Sequence, residues 1–324
     1  MMRYSIAIRT LGTSGEKFVR ELESIKRQTI QPEKVIIYIA EGYPRPDYTI
    51  GKEEYVWVKK GMMRQRVLRY DEMDSPLILL LDDDVELEPD SAEKMIGALA
   101  KNNLDCLAAV TFRNYKNPVT RKVYIALTNM VFPHWSDTWS IKIHSNGSFS
   151  YNNHPVKDVY LSQSASGPAA LWRKQTFLNL HLEDELWLDN LRFAFGEDVL
   201  MFNKLYKNGF RLGTHYSCGI KHLNAQSSSA AFKGNKQRFH TRSMASFLIW
   251  YRTCYHLNGL TWWRKAWSVI SYTFKVLWLL FIHVISSVHF CSFSVVSNYV
   301  SGIVDGLRMI RTEEFKQMPN FILP

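Results

Sequence analysis

The run Leu77-Ile78-Leu79-Leu80-Leu81 passes without a break into Asp82-Asp83-Asp84, and this junction constrains the fold more than any other feature of the chain. Five consecutive apolar residues leave no wet face, so they read as a strand covered on both sides, as in a parallel sheet flanked by helices. Three adjacent carboxylates cannot follow that strand into a core. They must lie at the sheet's edge, where open α/β sheets bind their ligands.

The rest of the first hundred residues agrees with this reading. Residues 4–9 are expected as a buried strand, 14–29 as an amphipathic helix with Phe18, Leu22 and Ile25 on one face, and 34–39 as the next strand. A further strand is expected at 55–58 and a helix at 60–70. Strand and helix alternate, which predicts an α/β, doubly wound, mostly parallel sheet. Residues 113–163 break into stretches rich in Asn, Pro, Trp and Tyr and are expected as an insertion of loops and short strands. Within it, Trp135, Trp139 and Tyr151 suit either stacking on sugars or a local core, and are left unassigned. Regularity returns at 169–177 and in a helix opening at Glu197.

With 324 residues, 46% of them hydrophobic and 22% charged, the chain has material for about two globular units and is neither disordered nor polytopic. Its net charge of +10 is unevenly spread: residues 199–304 hold twelve Lys or Arg and no Asp or Glu. Such asymmetry needs an anionic partner, whether nucleic acid, a phosphate-bearing ligand or a lipid surface. No helix-turn-helix, RNP or zinc-finger pattern appears, so nucleic acid is not expected as a partner. A membrane surface suits better, because the basic stretch merges into a Trp-, Phe-, Ile- and Val-rich segment at 262–304. Residues 276–304 carry no formal charge and could span a bilayer. Six serines and two histidines dilute them, however, while Trp267, Ile270, Phe274, Leu277, Phe281, Val284 and Val288 form a stripe at helical spacing. Spanning and in-plane seating both stay open, as does a buried helical subdomain. The four cysteines are widely spaced, with no C-x-x-C pair, which suits a reducing compartment. The N-terminal apolar run is too short for a signal-peptide core, so the catalytic part is expected in the cytosol.

Two acidic sites carry the chemistry. Asp82-Asp83-Asp84 repel one another unless a cation neutralises them, and carboxylate oxygens are the hard ligands that Mg²⁺ or Mn²⁺ prefers. By contrast, Asp90-Ser91-Ala92-Glu93 fits a capping box opening a helix at 91–99. The second site is Gly196-Glu197-Asp198, an acidic pair at the start of an apolar-periodic helix. Helix N-termini favour carboxylates on their own account, but paired with an upstream metal-type cluster a second carboxylate suits a general base.

Taken in order, five pieces of residues 4–225 resemble the family 2 inverting glycosyltransferases of GT-A fold. They are Ser5-Ile6-Ala7-Ile8-Arg9-Thr10; Gly61-Met62-Met63-Arg64-Gln65-Arg66; Asp82-Asp83-Asp84; Gly167 with Ala169-Ala170-Leu171-Trp172-Arg173; and Gly196-Glu197-Asp198. The resemblance implies a GT-A-type catalytic domain at 1–226 and a C-terminal helical, membrane-associated region at 227–324. It implies that Thr10, Glu41, Arg66, Asp82 and Asp83 bind a nucleotide sugar, a UDP-sugar foremost, that Asp84 and His222 hold Mg²⁺ or Mn²⁺, and that Asp198 is the base. Gly167 and Glu197 would lie on the acceptor side. Two positions depart from the family pattern: Ala40-Glu41-Gly42 stands where Asp-Asp-Gly-Ser is usual, and Val67 where Asn is usual. The implied activity moves a sugar to a glycan or lipid-linked acceptor in bacterial surface-polysaccharide synthesis, at the cytoplasmic face of the inner membrane, with the chain peripheral or single-span. The competing readings are a nucleotidyltransferase using the glycines at 12 and 15, and a non-catalytic membrane adaptor.

Overall fold

The computed structural model describes residues 2–111, 123, 126–127, 137–152, 154–223, 237–289 and 293–322. Its centre is an eight-stranded mixed sheet in the order β3-β2-β1-β4-β10-β6-β11-β9. Strands β1 (Tyr4–Thr10), β2 (Val35–Ala40), β3 (Glu53–Val58) and β4 (Leu77–Asp82) are mutually parallel. β10 (Ala169–Arg173) runs antiparallel between β4 and β6 (Cys106–Ala109), and β11 (Leu212–His215) runs parallel to β6. β9 (Val159–Leu161) closes the edge. From β1 the chain moves outward to β2 and β3, then returns to place β4 on the other side of β1. That reversal is the switch point at which open α/β sheets leave a crevice beyond their strand ends.

Every residue of β1 and β2 is buried, because both faces of the sheet are covered. Helices α1 (Glu16–Lys26) and α2 (Ser91–Lys101) cover one face, where Phe18, Leu22, Ile25, Met95 and Leu99 meet Ile6, Ile8, Leu79 and Leu81. The side chains of opposite parity, Ala7, Ile36, Tyr38, Ile78 and Leu80, face a second core. That core takes in Trp172 and Phe177 and continues into the C-terminal helices through Ala245, Phe247, Trp250 and Phe315. A buried cluster staples this layer. Arg252 Nε donates to Glu185 Oε2 at 2.9 Å, while Lys204 Nζ lies 3.4 Å from Glu185 Oε1.

Several elements depart from expectation. Residues 60–70 form successive turns and no helix, because the Asp189 carboxylate accepts the backbone N–H groups of Met63 (2.8 Å) and Arg64 (2.9 Å) and holds the segment in another shape. The regular stretch at 169–177 divides into β10 and the short helix α3 (Lys174–Asn179). No capping box forms at α2. Asp90 pairs with Lys94 at 2.9 Å, and Glu93 accepts from Thr29 Oγ1 at 2.9 Å. Helix α4 (Glu197–Lys207) opens at Glu197, preceded by Gly196 at φ +83°, a conformation that glycine adopts without penalty. The uncharged stretch is not one element. After α5 (Gln237–Trp250), α6 spans Trp262–His289 and α7 spans Ser294–Met309, with α8 at Glu313–Gln317. Among the described residues one helix, Trp262–Val288, is long and apolar enough to cross a membrane. Trp135 lies outside the described residues, and Trp139 packs edge-on against Tyr206.

Candidate active site

The site is built where β1 and β4 end side by side, with Arg9 and Asp82 as register partners. Arg9 is buried, and its guanidinium donates to Asp82 Oδ1. One residue further, Thr10 Oγ1 donates to Asp83 Oδ2 and also accepts the Gly12 N–H at 2.7 Å. The turn at 61–66 brings in a second arginine: Arg66 Nη2 lies 3.4 Å from Asp82 Oδ2. Both guanidiniums also donate to the carbonyl of Gly167, Arg66 at 3.2 Å and Arg9 at 3.4 Å. A Cβ at Gly167 would stand 2.5 Å from Arg66 Nη1, so that position has room only for glycine while Arg66 stays in place.

Arg66 joins the two acidic sites. The same Nη2 lies 3.4 Å from Glu197 Oε1, at the start of α4. Residues far apart in sequence therefore meet in one cleft, where a buried cation faces carboxylates from both strand β4 and helix α4. Burial would raise the Asp82 carboxyl, but Arg66 and Arg9 hold it below the usual carboxylate range. The opposite balance holds at α4. Burial lifts Glu197 to about 7 against the pull of Arg66, and the Asp198 charge adds to the rise. Asp198 is likewise raised by burial, although Arg66 and the Val199 N–H, 2.7 Å from Oδ1, draw it back. Glu197 is thus poised to exchange a proton near neutrality, and Asp198 beside it is shifted in the same direction.

Asp84 turns away from Arg66. It is buried, and its Oδ1 lies 3.0 Å from His222 Nε2. β5 (Val85–Leu87) and β12 (Ile220–His222) pair antiparallel and set His222 opposite Val85, which brings the two side chains together. No cluster of three or more candidate metal ligands occurs among the described residues. A carboxylate with one imidazole nevertheless fits Mg²⁺ or Mn²⁺, which fill their remaining positions with water and substrate phosphate oxygens. Burial raises Asp83, with Asp82 and Asp84 adding to it and Thr10 and Ser14 opposing through hydrogen bonds.

Among the residues expected at the site, Thr10, Arg66, Asp82, Asp83, Gly167, Glu197 and Asp198 are linked by these contacts. Asp84 and His222 form a pair beside them. Glu41 is exposed at the end of β2, and among the described residues no side-chain hydrogen bond or ion pair joins it to the cluster. Two participants were not singled out from sequence, and a third, Tyr151, was left unassigned. Arg9 had a signal, since an arginine ending a fully buried strand must meet an anion. Asp189, which shapes the turn carrying Arg66, had none. Tyr151, at the end of β8 (Phe149–Tyr151), is exposed yet close enough to Asp198 for that charge to raise its phenol, after burial.

Fold and site together define a doubly wound α/β architecture with a paired-arginine, multi-carboxylate cluster at the sheet's switch point. No family model and no curated protein sequence matches the chain. Many solved structures are similar to it, and two serve as examples. One is the crystal structure of GalNAc-T7 with UDP, GalNAc and Mn²⁺, at 12% identity over 68% of this chain and 43% of that one, with a TM-score of 0.48. The other is the crystal structure of S. aureus TarS, at 11% identity over 85% of this chain and 43% of that one, with a TM-score of 0.50. The chain spans less than half the length of either, and the likeness to TarS is one of fold alone.

Proposed function

We propose that the chain is a metal-dependent, inverting glycosyltransferase of the family 2 type, moving a sugar from a nucleotide sugar to a glycan or lipid-linked acceptor at a membrane surface in surface-polysaccharide synthesis. The single observation that supports the reading is Arg66 Nη2 at 3.4 Å from both Asp82 and Glu197, the latter being the neighbour of the proposed base Asp198.

In this reading Thr10, Asp82, Asp83 and Arg66 bind the nucleotide sugar, with a UDP-sugar as the first candidate, and Glu41 meets the base at the outer end of β2. Asp84 and His222 would hold Mg²⁺ or Mn²⁺; when bound, the ion supplies positive charge that offsets the charge growing on the leaving diphosphate. Asp198 takes the proton from the acceptor hydroxyl as that oxygen attacks the anomeric carbon from the face opposite the diphosphate, and a single displacement inverts the centre. Burial supports this role, because a carboxylate pushed above its ordinary value is the stronger base. Glu197 shares its field, Arg66 supplies fixed positive charge, Gly167 seats Arg66, and Tyr151 lines the acceptor side.

The test is a screen of nucleotide sugars for Mn²⁺- or Mg²⁺-dependent turnover by the full chain. Sugar transfer with nucleoside diphosphate release is expected, whereas pyrophosphate release would indicate a nucleotidyltransferase and no turnover a non-catalytic adaptor. Asp198→Asn should abolish transfer and leave donor affinity largely intact; full activity in that variant refutes the assignment of the base.

A further inference from the structure

Helix α6 turns inward a mixed side, on which Tyr272 stacks on Trp250 among buried polar groups, and turns an apolar side outward. Its inward side carries polar groups: Ser268 and Lys275 are buried, Ser268 Oγ donates to Ser145 O at 2.7 Å, and Lys275 Nζ reaches Asn146 O at 3.3 Å. Trp250 on α5 strengthens the same junction by donating from Nε1 to Ser145 O at 2.9 Å. Its outward side is apolar. Trp267, Phe274 and Phe281 are 59%, 52% and 54% exposed, and with Ile270, Leu277 and Val288 they follow one another along a single face. From Trp267 to Val288 the stripe is about 32 Å long.

We infer that this stripe lies in the interfacial plane of an anionic lipid membrane and does not cross it. The inference rests on the membrane placement proposed above and fixes its geometry. A crossing helix meets hydrocarbon on every side. Here the inner side is bound to the 144–148 turn, so crossing would strip those hydrogen bonds and carry the Lys275 ammonium into the bilayer. An in-plane helix keeps them and wets only its apolar half with lipid. Charge selects lipid over a second copy of the chain. Arg264 is exposed on α6 itself, Arg242 lies near enough to add to the lowering of the His283 imidazole by burial, and residues 199–304 contain no acid. A second copy facing it along α6 would offer no acid to these cations, whereas an anionic leaflet supplies the complement. Trp262, Trp263 and Trp267 gather at one end of the helix, as interfacial tryptophans do. The consequence reaches the cleft, because the turn seated on α6 belongs to the hairpin β7 (Ile141–Ile143) and β8, which ends at Tyr151 beside Asp198. A lipid-linked acceptor would enter from that side.

The experiment uses the full chain and vesicles of phosphatidylcholine with or without phosphatidylglycerol. Co-sedimentation is expected only with the anionic vesicles. Phe274→Asp with Phe281→Asp should cut it about tenfold or more, with an unchanged circular dichroism spectrum because both side chains already face out. Arg264→Glu with Lys265→Glu should weaken it about tenfold without touching the stripe. An environment-sensitive fluorophore is then placed in turn at Trp263→Cys, Phe274→Cys and Val288→Cys, in a chain with Cys254 and Cys291 replaced by serine. Quenching by shallow and deep spin-labelled lipids should give the same shallow depth at all three sites. A deep centre at 274 flanked by shallow ends means the helix crosses, and overturns the inference. Equal binding to neutral vesicles, or no vesicle binding with a concentration-dependent dimer, overturns it as well. Vesicle binding without sugar turnover would remove the enzymatic reading and leave this one standing.

Discussion

Replacing Glu197 by Gln should stabilise the folded chain at alkaline pH, although the substitution removes an ion pair with Arg66. Burial outweighs that pair, since the Glu197 carboxyl is pushed from an ordinary 4.5 up to about 7. Each pKa unit is worth about 1.4 kcal/mol, so holding the charged form in the fold costs about 3 kcal/mol relative to the unfolded chain. The sign follows from the direction. Below pH 4.5 the group is protonated in both states and the fold loses nothing. As pH rises from 4.5 towards 7 the unfolded chain releases the proton while the folded chain keeps it, so stability falls. Above 7 the full cost is present. Glutamine cannot ionise, and its variant lacks this contribution. Urea unfolding at pH 4, 6 and 8 should therefore show a gain for Glu197→Gln that starts near zero and grows to about 3 kcal/mol, with a residual slope left by Asp198, which titrates with its neighbour. A variant that is less stable at pH 8 than the natural chain would show that the Arg66 attraction outweighs burial, and would refute the reasoning.

Three further outcomes are expected. Arg252→Met leaves the fully buried Glu185 with Lys204 but without its guanidinium partner, and should cost about 3–5 kcal/mol in urea unfolding; a loss under 1 kcal/mol would show that the cluster is not a staple. Asp189→Ala strips the acceptor from the Met63 and Arg64 N–H groups and should cost about 1–3 kcal/mol. Its donor KM should rise as the turn carrying Arg66 loosens, and an unchanged KM would separate that turn from the donor site. Asp84→Ala and His222→Ala should each abolish the rise in Tm that Mn²⁺ with a nucleoside diphosphate gives the natural chain; an undiminished rise would place the ion elsewhere.

The sheet was legible because its evidence is local and redundant. Residues 77–81 have to be buried on both faces, residues 4–9 and 34–39 share the property, and the helix between them shows its apolar face in Phe18, Leu22 and Ile25. What the local pattern could not give was direction: β10 reads as one more apolar strand, and only its neighbours make it antiparallel to β4. The helix expected at 60–70 failed for a related reason. Its residues have adequate helical propensity, and Gln65 and Val67 do donate to carbonyls four positions back, but the N–H groups of Met63 and Arg64 are held by Asp189, more than a hundred positions away, and the turns end at Val67. No window around residue 65 contains that information.

The cleft divides in the same way between what a strand end announces and what tertiary contacts decide. Three aspartates after an apolar strand announce a site, and an acidic pair at a helix start announces a second; their meeting depends on Arg66, whose reach to Asp82 and Glu197 is set by a turn, a distant carboxylate and a glycine that leaves the guanidinium room. At α6 the limit of pattern reading is sharper. A 3.6-residue period states which side chains share a face, and it is silent on whether that face points in or out. Trp267, Phe274 and Phe281 would serve equally well as the inner stripe of a soluble bundle. Their direction is settled by the opposite side, where Ser268 and Lys275 find backbone carbonyls at Ser145 and Asn146 and so claim the protein-facing position for the polar half of the helix. Once those bonds are made, the apolar half stays exposed among the described residues, and a partner that supplies hydrocarbon and negative charge together satisfies both the stripe and the basic residues beside it.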